Sequence, residues 1–144
     1  MEELYLRFIH FVGIILLSSA LFYELICLSC TITHQQLKKL LWVDALFGAS
    51  AVIVLVSGGL LWGYFGKPSE FYTKNPLFHI KLTLFILTAL MSIFPTWVLL
   101  KNRKSLKTTL SIPDYVIIIV KVETVLLLTI PLLAVLMAHG VGLA

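Results

Sequence analysis

Charged residues are scarce in this chain of 144 residues, which has only seven acidic side chains. Charged residues make up 12% of the sequence and hydrophobic residues 60%, and the mean hydropathy is +1.03. A water-soluble domain needs far more polar surface than this composition supplies. The shortage of charge therefore excludes a soluble globular domain and predicts an integral membrane protein.

Motifs of several soluble function classes are also missing. The sequence has no glycine-rich loop that could cradle a phosphate, no hydrolase triad and no platform for binding nucleic acid. Its two cysteines, Cys27 and Cys30, form a C-x-x-C pattern near the end of a predicted helix. The predicted reducing side of the membrane disfavours a disulfide, so we interpret both cysteines as small apolar residues, and the role of the pair stays open.

Long apolar runs are what the chain has in abundance. Four such runs lie near residues 6–30, 42–65, 77–100 and 115–138, and each exceeds the ~20 residues that span a bilayer. They predict an all-α fold, a polytopic integral membrane protein in which four transmembrane helices form an up-down bundle. Residues 1–144 then make a single transmembrane domain whose partner is the lipid bilayer, and the first run stays as a helix because it lacks the features of a cleaved signal peptide.

Basic residues between the apolar runs predict the topology. They concentrate in the first and third loops, whereas the second loop has fewer, and short cytoplasmic loops carry an excess of lysine and arginine. We therefore expect a bacterial inner-membrane protein with loops one and three in the cytoplasm and both termini in the periplasm. The basic residues of these two loops are Lys38, Lys39, Lys101, Arg103, Lys104 and Lys107.

Two histidines are the main candidates for binding a cofactor. His10 and His79 lie a few residues inside the first and third helices, at the same predicted depth, and these helices tend to be diagonal in an up-down bundle. Two imidazoles that face each other across the core suit the axial positions of haem b. Alternatively, Phe8 and Phe78 pack there and the histidines reach interfacial water or backbone carbonyls. Lys81 lies ~200° round the helix from His79, so the two side chains cannot both face the core and one of them is expected to extend to the membrane interface. An inward Lys81 could pair with a carboxylate or a cofactor propionate.

His139 is a third candidate at the same side of the membrane. It ends the fourth helix and precedes Gly140, so capping is its favoured role. As a third ligand beside His10 and His79 it would make a copper site, which is the alternative function in the transport class.

A second polar group lies in the inner half of the bundle and comprises Glu24, Asp44, Lys121 and Glu123. Paired carboxylates with one lysine could relay protons or hold a substrate as catalytic groups. The equally weighted alternative is a network of ion pairs that locks the helices.

Helix packing follows from small and polar residues at helical spacing. On the first helix, His10 and Glu24 share a stripe with small residues, so both are expected to face inward. On the second helix, the packing stripe is predicted to contain Asp44, Gly48, Ala51, Leu55, Gly58 and Trp62. Pro95 and Pro131 are expected to kink the third and fourth helices.

Several segments resemble known membrane families. His10-Phe-Val-Gly13 with Leu21-Phe22-Tyr23, Phe78-His79-Ile80-Lys81-Leu82 and Glu123 resemble the haem-binding HemJ-type protoporphyrinogen oxidases. A closer resemblance, to a family of uncharacterised bacterial membrane proteins, is carried by Asp44-Ala-Leu-Phe-Gly48, Asn75-Pro76-Leu-Phe78, Ser92-Ile-Phe-Pro95-Thr96, Pro131-Leu-Leu-Ala134 and Met137-Ala138. That family is similar to both the HemJ type and the copper-resistance D type, which implicates His10, His79 and Lys81.

These observations lead to three hypotheses about function. The first is a small haem b protein that transfers electrons and protons, of the HemJ-like oxidoreductase kind, with a quinone or a porphyrin as partner and a second copy of the chain helping to enclose the cofactor. The second is a copper-handling transport protein. The third is a structural or assembly protein without a ligand.

Overall fold

Four long apolar helices dominate the computed structural model, which describes residues 1–142. Their lengths and compositions suit membrane crossing, so the predicted all-α fold with four spans is confirmed. The helices and strands, in chain order, are α1 (Glu2–Cys27), β1 (Thr31–Thr33), α2 (His34–Leu60, extended by a π-helical turn at Leu61–Phe65), α3 (Ser69–Thr73), α4 (Pro76–Met91), α5 (Ile93–Asn102), β2 (Thr109–Ser111) and α6 (Asp114–Ala138).

The four spans form an antiparallel ring. The span α1 packs mainly against α2, and α4 packs mainly against α6, while α1 also contacts α6 and α2 contacts α5. The first and third spans are therefore diagonal, as the sequence predicted. Met1, the C-terminal end of α6 and the loop that contains α3 lie at one end, which we call the termini end. The other end carries β1 and β2 and is called the ribbon end.

The second span begins earlier than the sequence predicted. Its predicted start was near residue 42, but α2 begins at His34 because Thr33 caps it. The Thr33 hydroxyl accepts from the Gln36 backbone N–H, and the Gln36 side chain accepts from the Thr33 backbone N–H. This capping box satisfies backbone donors that the first turn leaves free. Lys38 and Lys39 consequently lie on α2 and not in a loop.

The third span is broken at Ser92. The helix α4 ends at Met91 and α5 starts at Ile93, two residues before Pro95. Pro95 has no backbone N–H for the carbonyl four residues earlier, at Met91, and its ring crowds that carbonyl. The interruption predicted from Pro95 is therefore present, whereas Pro131 lies inside the unbroken α6.

The packing stripe on α1 was predicted correctly, and the one on α2 was predicted in part. Gly13, Leu17, Ala20 and Glu24 of α1 are buried. On α2, Asp44 of the predicted stripe is buried and Ala51, Gly58 and Trp62 are half-buried, but Gly48 and Leu55 are exposed because Phe47 and Val54, one position away, fill the core instead. The buried residues of α2 are Leu37, Leu40, Asp44, Phe47, Ser50, Val54 and Ser57.

A feature absent from the sequence analysis joins the first and third loops. The strands β1 and β2 pair antiparallel as a short two-stranded ribbon, with Ile32 opposite Leu110. These two side chains are 1% and 2% exposed and belong to the main apolar core. His34, interpreted from the sequence as solvated, instead donates through Nε2 to the carbonyl of Ser105 and adds a second link between the loops.

Cys30 attaches the ribbon to the start of α6. Its thiol donates a hydrogen bond of 3.2 Å to Oδ1 of Asp114, and its carbonyl accepts from the Ile112 N–H. The hydrogen bond to Asp114, together with the negative charge of that carboxylate, raises the pKa of the Cys30 thiol. The thiolate is therefore scarcer at a given pH than for an ordinary cysteine.

Replacing Asp114 with asparagine should make Cys30 more reactive. The substitution Asp114→Asn removes the negative charge, so the pKa of the thiol falls, the thiolate fraction at mildly alkaline pH rises, and alkylation by iodoacetamide speeds up. The rate should be measured in a Cys27→Ser background so that only Cys30 reacts. The exposed Glu70→Gln change serves as the control and should leave the rate unchanged. An unchanged rate in Asp114→Asn would mean that the contact does not hold the thiol.

Candidate functional site

Three carboxyl groups from three spans meet inside the bundle, in its half nearer the ribbon end. Glu24 of α1, Asp44 of α2 and Glu123 of α6 are 4%, 8% and 1% exposed. Glu24 interacts electrostatically with both other carboxyls, and Glu123 interacts with Asp44. We call these three residues the acid cluster. The sequence analysis proposed all three.

The members of the acid cluster differ in their partners. Oδ1 of Asp44 accepts a hydrogen bond of 2.8 Å from the hydroxyl of Thr96 on α5. Oε1 of Glu24 and Oε1 of Glu123, in contrast, are buried and have no hydrogen-bond partner. Most buried polar atoms in proteins are satisfied, so each such exception calls for an explanation.

Within the described part of the chain, no basic side chain forms an ion pair with the acid cluster. Within residues 1–142 the ion pairs are Arg7 with Glu3 and Lys74 with Glu70, and both are on the surface. Lys121 was predicted to join the acids, but it is exposed. Positions 121 and 123 lie ~200° apart round a helix, so the burial of Glu123 turns Lys121 outward. The predicted network of ion pairs is therefore not formed.

The surroundings of the acid cluster restrict what it can hold. An isolated carboxylate in an apolar interior is so costly that the group normally takes up a proton or finds a counter-ion. In the described part of the chain, no three His, Cys, Asp or Glu side chains are placed to hold a metal ion. The chemistry that this geometry supports is the uptake, sharing and release of protons.

His10 packs against the second span. Its Nδ1 lies 2.9 Å from the hydroxyl oxygen of Ser57, which is itself 3% exposed. The Ser57 hydroxyl donates to the carbonyl of Ile53, so Nδ1 of His10 is the donor to Ser57. A Cβ added at Gly58 would lie 3.1 Å from Cε1 of His10, so the glycine makes room for the imidazole. His10 is half-buried and faces inward, as predicted.

His79 does not face the core. It is exposed, and its Nε2 donates a hydrogen bond of 2.8 Å to the carbonyl of Thr73. The neighbouring Phe78 takes the inward position, at 8% exposure, and packs on Trp62 with ring centroids 5.1 Å apart. The large aromatic ring gains more from burial than the imidazole does, so Phe78 turns His79 out. The alternative packing is therefore correct for Phe78 and His79, but it is wrong for the first helix, where Phe8 is 65% exposed and His10 faces inward.

Lys81 is the residue that turns inward from this part of α4. It is half-buried, and its ammonium lies 5.6 Å from the centroid of the Phe78 ring. Its charge also acts on His10 across the bundle. No carboxylate in residues 1–142 lies within 4.0 Å of its ammonium. Lys81 therefore faces Phe78 through a cation–π contact and not a carboxylate.

His139 lies at the end of α6, where the sequence placed it. It is exposed and forms the C-cap, with its backbone N–H bonded to the carbonyl of Val135. The following Gly140 has φ of +83°, a left-handed conformation that favours glycine at this position. The capping interpretation is therefore correct. His10, His79 and His139 do not converge, so these residues do not fit the predicted copper site.

The histidine geometry also bears on haem b. Two axial histidines must point into one gap between helices. His10 points at α2, and His79 is exposed with its ring committed to Thr73. These side chains do not fit a haem held between the first and third spans of one chain. Haem b stays a prediction from the two histidines and from the family resemblance, and this geometry does not support it.

Two residues that contribute to these sites were missed by the sequence analysis. Thr96 bonds Asp44, and Ser57 bonds His10. A hydroxyl on a membrane helix normally bonds its own backbone, as Ser57 and Thr96 also do, so neither stands out in the sequence. The available signal was spacing, because Ser57 lies on the face of α2 that carries Asp44 and Ser50.

Alanine at Gly58 should destabilise the protein relative to alanine at Gly59. Both changes favour the helix by about 1 kcal/mol in a helix interior. Only Gly58→Ala meets His10, since nothing lies within 4 Å of a Cβ at Gly59. The thermal unfolding midpoint in detergent should be lower for Gly58→Ala than for Gly59→Ala. Equal midpoints would show that His10 does not pack on Gly58.

An apolar residue at Glu123 should stabilise the bundle. Glu123→Met removes a buried carboxyl oxygen that has no partner, which should raise the free energy of unfolding by about 1–3 kcal/mol. Glu70→Met, at an exposed surface carboxylate, is the matched control and should bring no such gain. Unfolding by added SDS measures both. A loss of stability in Glu123→Met would mean that the carboxyl makes a favourable contact.

Comparison with known proteins identifies the family of the chain. The model of a family described as "Predicted membrane protein (DUF2214)" matches residues 2–142. No curated protein and no solved structure matches the chain. The resemblance to an uncharacterised family of membrane proteins is thereby confirmed.

Proposed function

Since the chain belongs to the DUF2214 family of predicted membrane proteins, we propose that it transfers protons in the membrane through the acid cluster. One observation carries this proposal: Glu24 and Glu123 each bury a carboxyl oxygen with no hydrogen-bond partner. Ionisable groups inside a membrane span are costly and mark proton or ion pathways more often than not. Buried polar atoms that serve only a structural role are normally hydrogen-bonded, so these two oxygens support a functional role.

The three carboxyls would have different roles. Asp44 accepts a hydrogen bond from Thr96, so it is the member best suited to hold a negative charge. Glu24 and Glu123 lack that support and would be present mainly as neutral carboxylic acids. A proton moves from one of these acids to the carboxylate of Asp44, which becomes neutral as the donor becomes charged. The total charge of the acid cluster stays constant during this step.

The distribution of basic residues supports an orientation for this function. Lys38, Lys39, Arg103 and Lys104 lie at the ribbon end, in the first turns of α2 and just after α5. By the positive-inside rule, this distribution supports an orientation with the ribbon end in the cytoplasm of a bacterial cell and both termini in the periplasm. The acid cluster would exchange protons on the cytoplasmic side of the inner membrane.

Proton flux into liposomes tests the proposal. Purified protein is reconstituted with a pH-sensitive dye inside the vesicles, and the membrane potential is clamped with potassium and valinomycin. After a pH step, the wild type should equilibrate faster than protein-free vesicles. Glu24→Gln and Glu123→Gln should each slow the protein-dependent rate by roughly a hundredfold, since they preserve shape but cannot exchange a proton.

Glu70→Gln is the matched control, because Glu70 is an exposed carboxylate far from the acid cluster. It should conduct like the wild type. A wild-type rate equal to that of protein-free vesicles would contradict proton transfer and favour the structural hypothesis. Normal flux in the folded Glu24→Gln and Glu123→Gln variants would show that the acid cluster is not the route.

A further inference from the structure

The acid cluster lies much nearer to the ribbon end than to the termini end. Glu24 is three residues before the end of α1, while Asp44 and Glu123 are ten and nine residues after the starts of α2 and α6. At ~1.5 Å per residue, these positions are ~5–15 Å from the ribbon end and ~22–33 Å from the termini end. The shortest route for a proton from water therefore runs through the ribbon end.

An apolar plug closes that route. Ile32 and Leu110 face each other across the ribbon and turn their side chains into the bundle at 1% and 2% exposure. Beneath them, Leu37, Ile112 and Val116 are 1%, 2% and 0% exposed and belong to the same apolar core. A tightly packed apolar layer excludes water, so protons cannot cross the plug while the ribbon is closed.

The ribbon consists of the two shortest regular elements at this end, and two buried side chains and the hydrogen bonds of Cys30 and His34 hold it to the bundle. Each strand has three residues, and the flanking residues Thr31, Thr33, Thr109 and Ser111 are all exposed. A two-stranded ribbon of this length is marginally stable without the packing of its inner face. Local opening in proteins concentrates in segments with few buried contacts and exposed backbone hydrogen bonds. The first turns of α2 and α6, at the same end, are expected to open less readily than the ribbon because their helices continue deep into the bundle.

We propose that the ribbon is a gate that controls access of protons to the acid cluster. When β1 and β2 separate, Ile32 and Leu110 leave the plug and water reaches the carboxyls. A hydronium ion then gives its proton to a carboxylate, which leaves a water molecule and a neutral carboxylic acid, and the reverse step releases the proton. This inference rests on the proposed function and adds the control of its site.

A disulfide across the ribbon tests the gate. Thr31 and Ser111 are direct partners in the antiparallel pair, a separation that a disulfide can span, and both side chains are exposed. Thr31→Cys with Ser111→Cys is made in a Cys27→Ser, Cys30→Ser background, and proton flux is measured in the same liposomes. The oxidised protein should lose its protein-dependent flux, and a reductant should restore it. Thr31→Cys alone and Ser111→Cys alone, given the same oxidant, should keep theirs.

A second pair of substitutions makes the side chains of the plug smaller instead of linking the two strands covalently. Ile32→Ala with Leu110→Ala removes bulk from the inner face of the ribbon and should raise the flux above the wild-type rate. Thr31→Ala with Thr109→Ala, on the outer face, is the matched control and should leave the rate unchanged. Circular dichroism verifies that each variant retains its helices.

The outcomes separate this proposal from the function beneath it. A wild-type protein without flux overturns the proposed function itself. The gate is overturned if the double-cysteine variant has the same flux when oxidised and when reduced. It is also overturned if Ile32→Ala with Leu110→Ala has the same flux as the wild type. Either result leaves proton transfer standing. Flux lost on oxidation and regained on reduction supports both.

Discussion

The cost of keeping unpaired carboxyl groups inside a lipid-facing bundle is the constraint on which the rest of this structure depends. Glu24, Asp44 and Glu123 each come from a different span, so their mutual approach requires three helices to meet at one depth. Lipid offers no water or counter-ion to relieve them, and the neighbouring spans provide one hydroxyl, that of Thr96. The protein therefore keeps a local instability in a buried part of the bundle.

The remaining architecture can be understood as a response to that instability. The break at Ser92 ends α4 and begins α5, and it places Thr96 beside Asp44. The ribbon covers the same half of the bundle with Ile32 and Leu110, which keeps water from the carboxyls. In natural proteins, functional sites commonly lower the stability of the fold in this manner, and the surrounding core offsets the loss.

The sequence predicted the spans and the acids well, because both depend on strong and simple signals. Four apolar runs of bilayer length can hardly fold otherwise, and an acidic residue within such a run must face protein and not lipid. Glu24 was therefore placed correctly. Lys121 was not, because a long basic side chain near a helix end can reach the interface, and only its position relative to Glu123 decides its direction.

Other parts could not be predicted, since they depend on competition between neighbours in space. Phe78 and His79 both fit the inner face of α4 by spacing, and the packing of Trp62 on Phe78 decided between them. The ribbon joins segments about 80 residues apart through strands of three residues, too short to show a period of two. Thr33 was a visible capping signal, however, and its capping box would have placed the start of α2 correctly.

The order of the three acids along the chain has a consequence for how the protein is made. Glu24 and Asp44 enter the membrane with the first two spans, whereas Glu123 and β2 arrive only with the last part of the chain. During synthesis, the first helical hairpin therefore holds two carboxyls beside an open face that α6 later covers. Insertion of the final span completes the site and closes it in a single step of biogenesis.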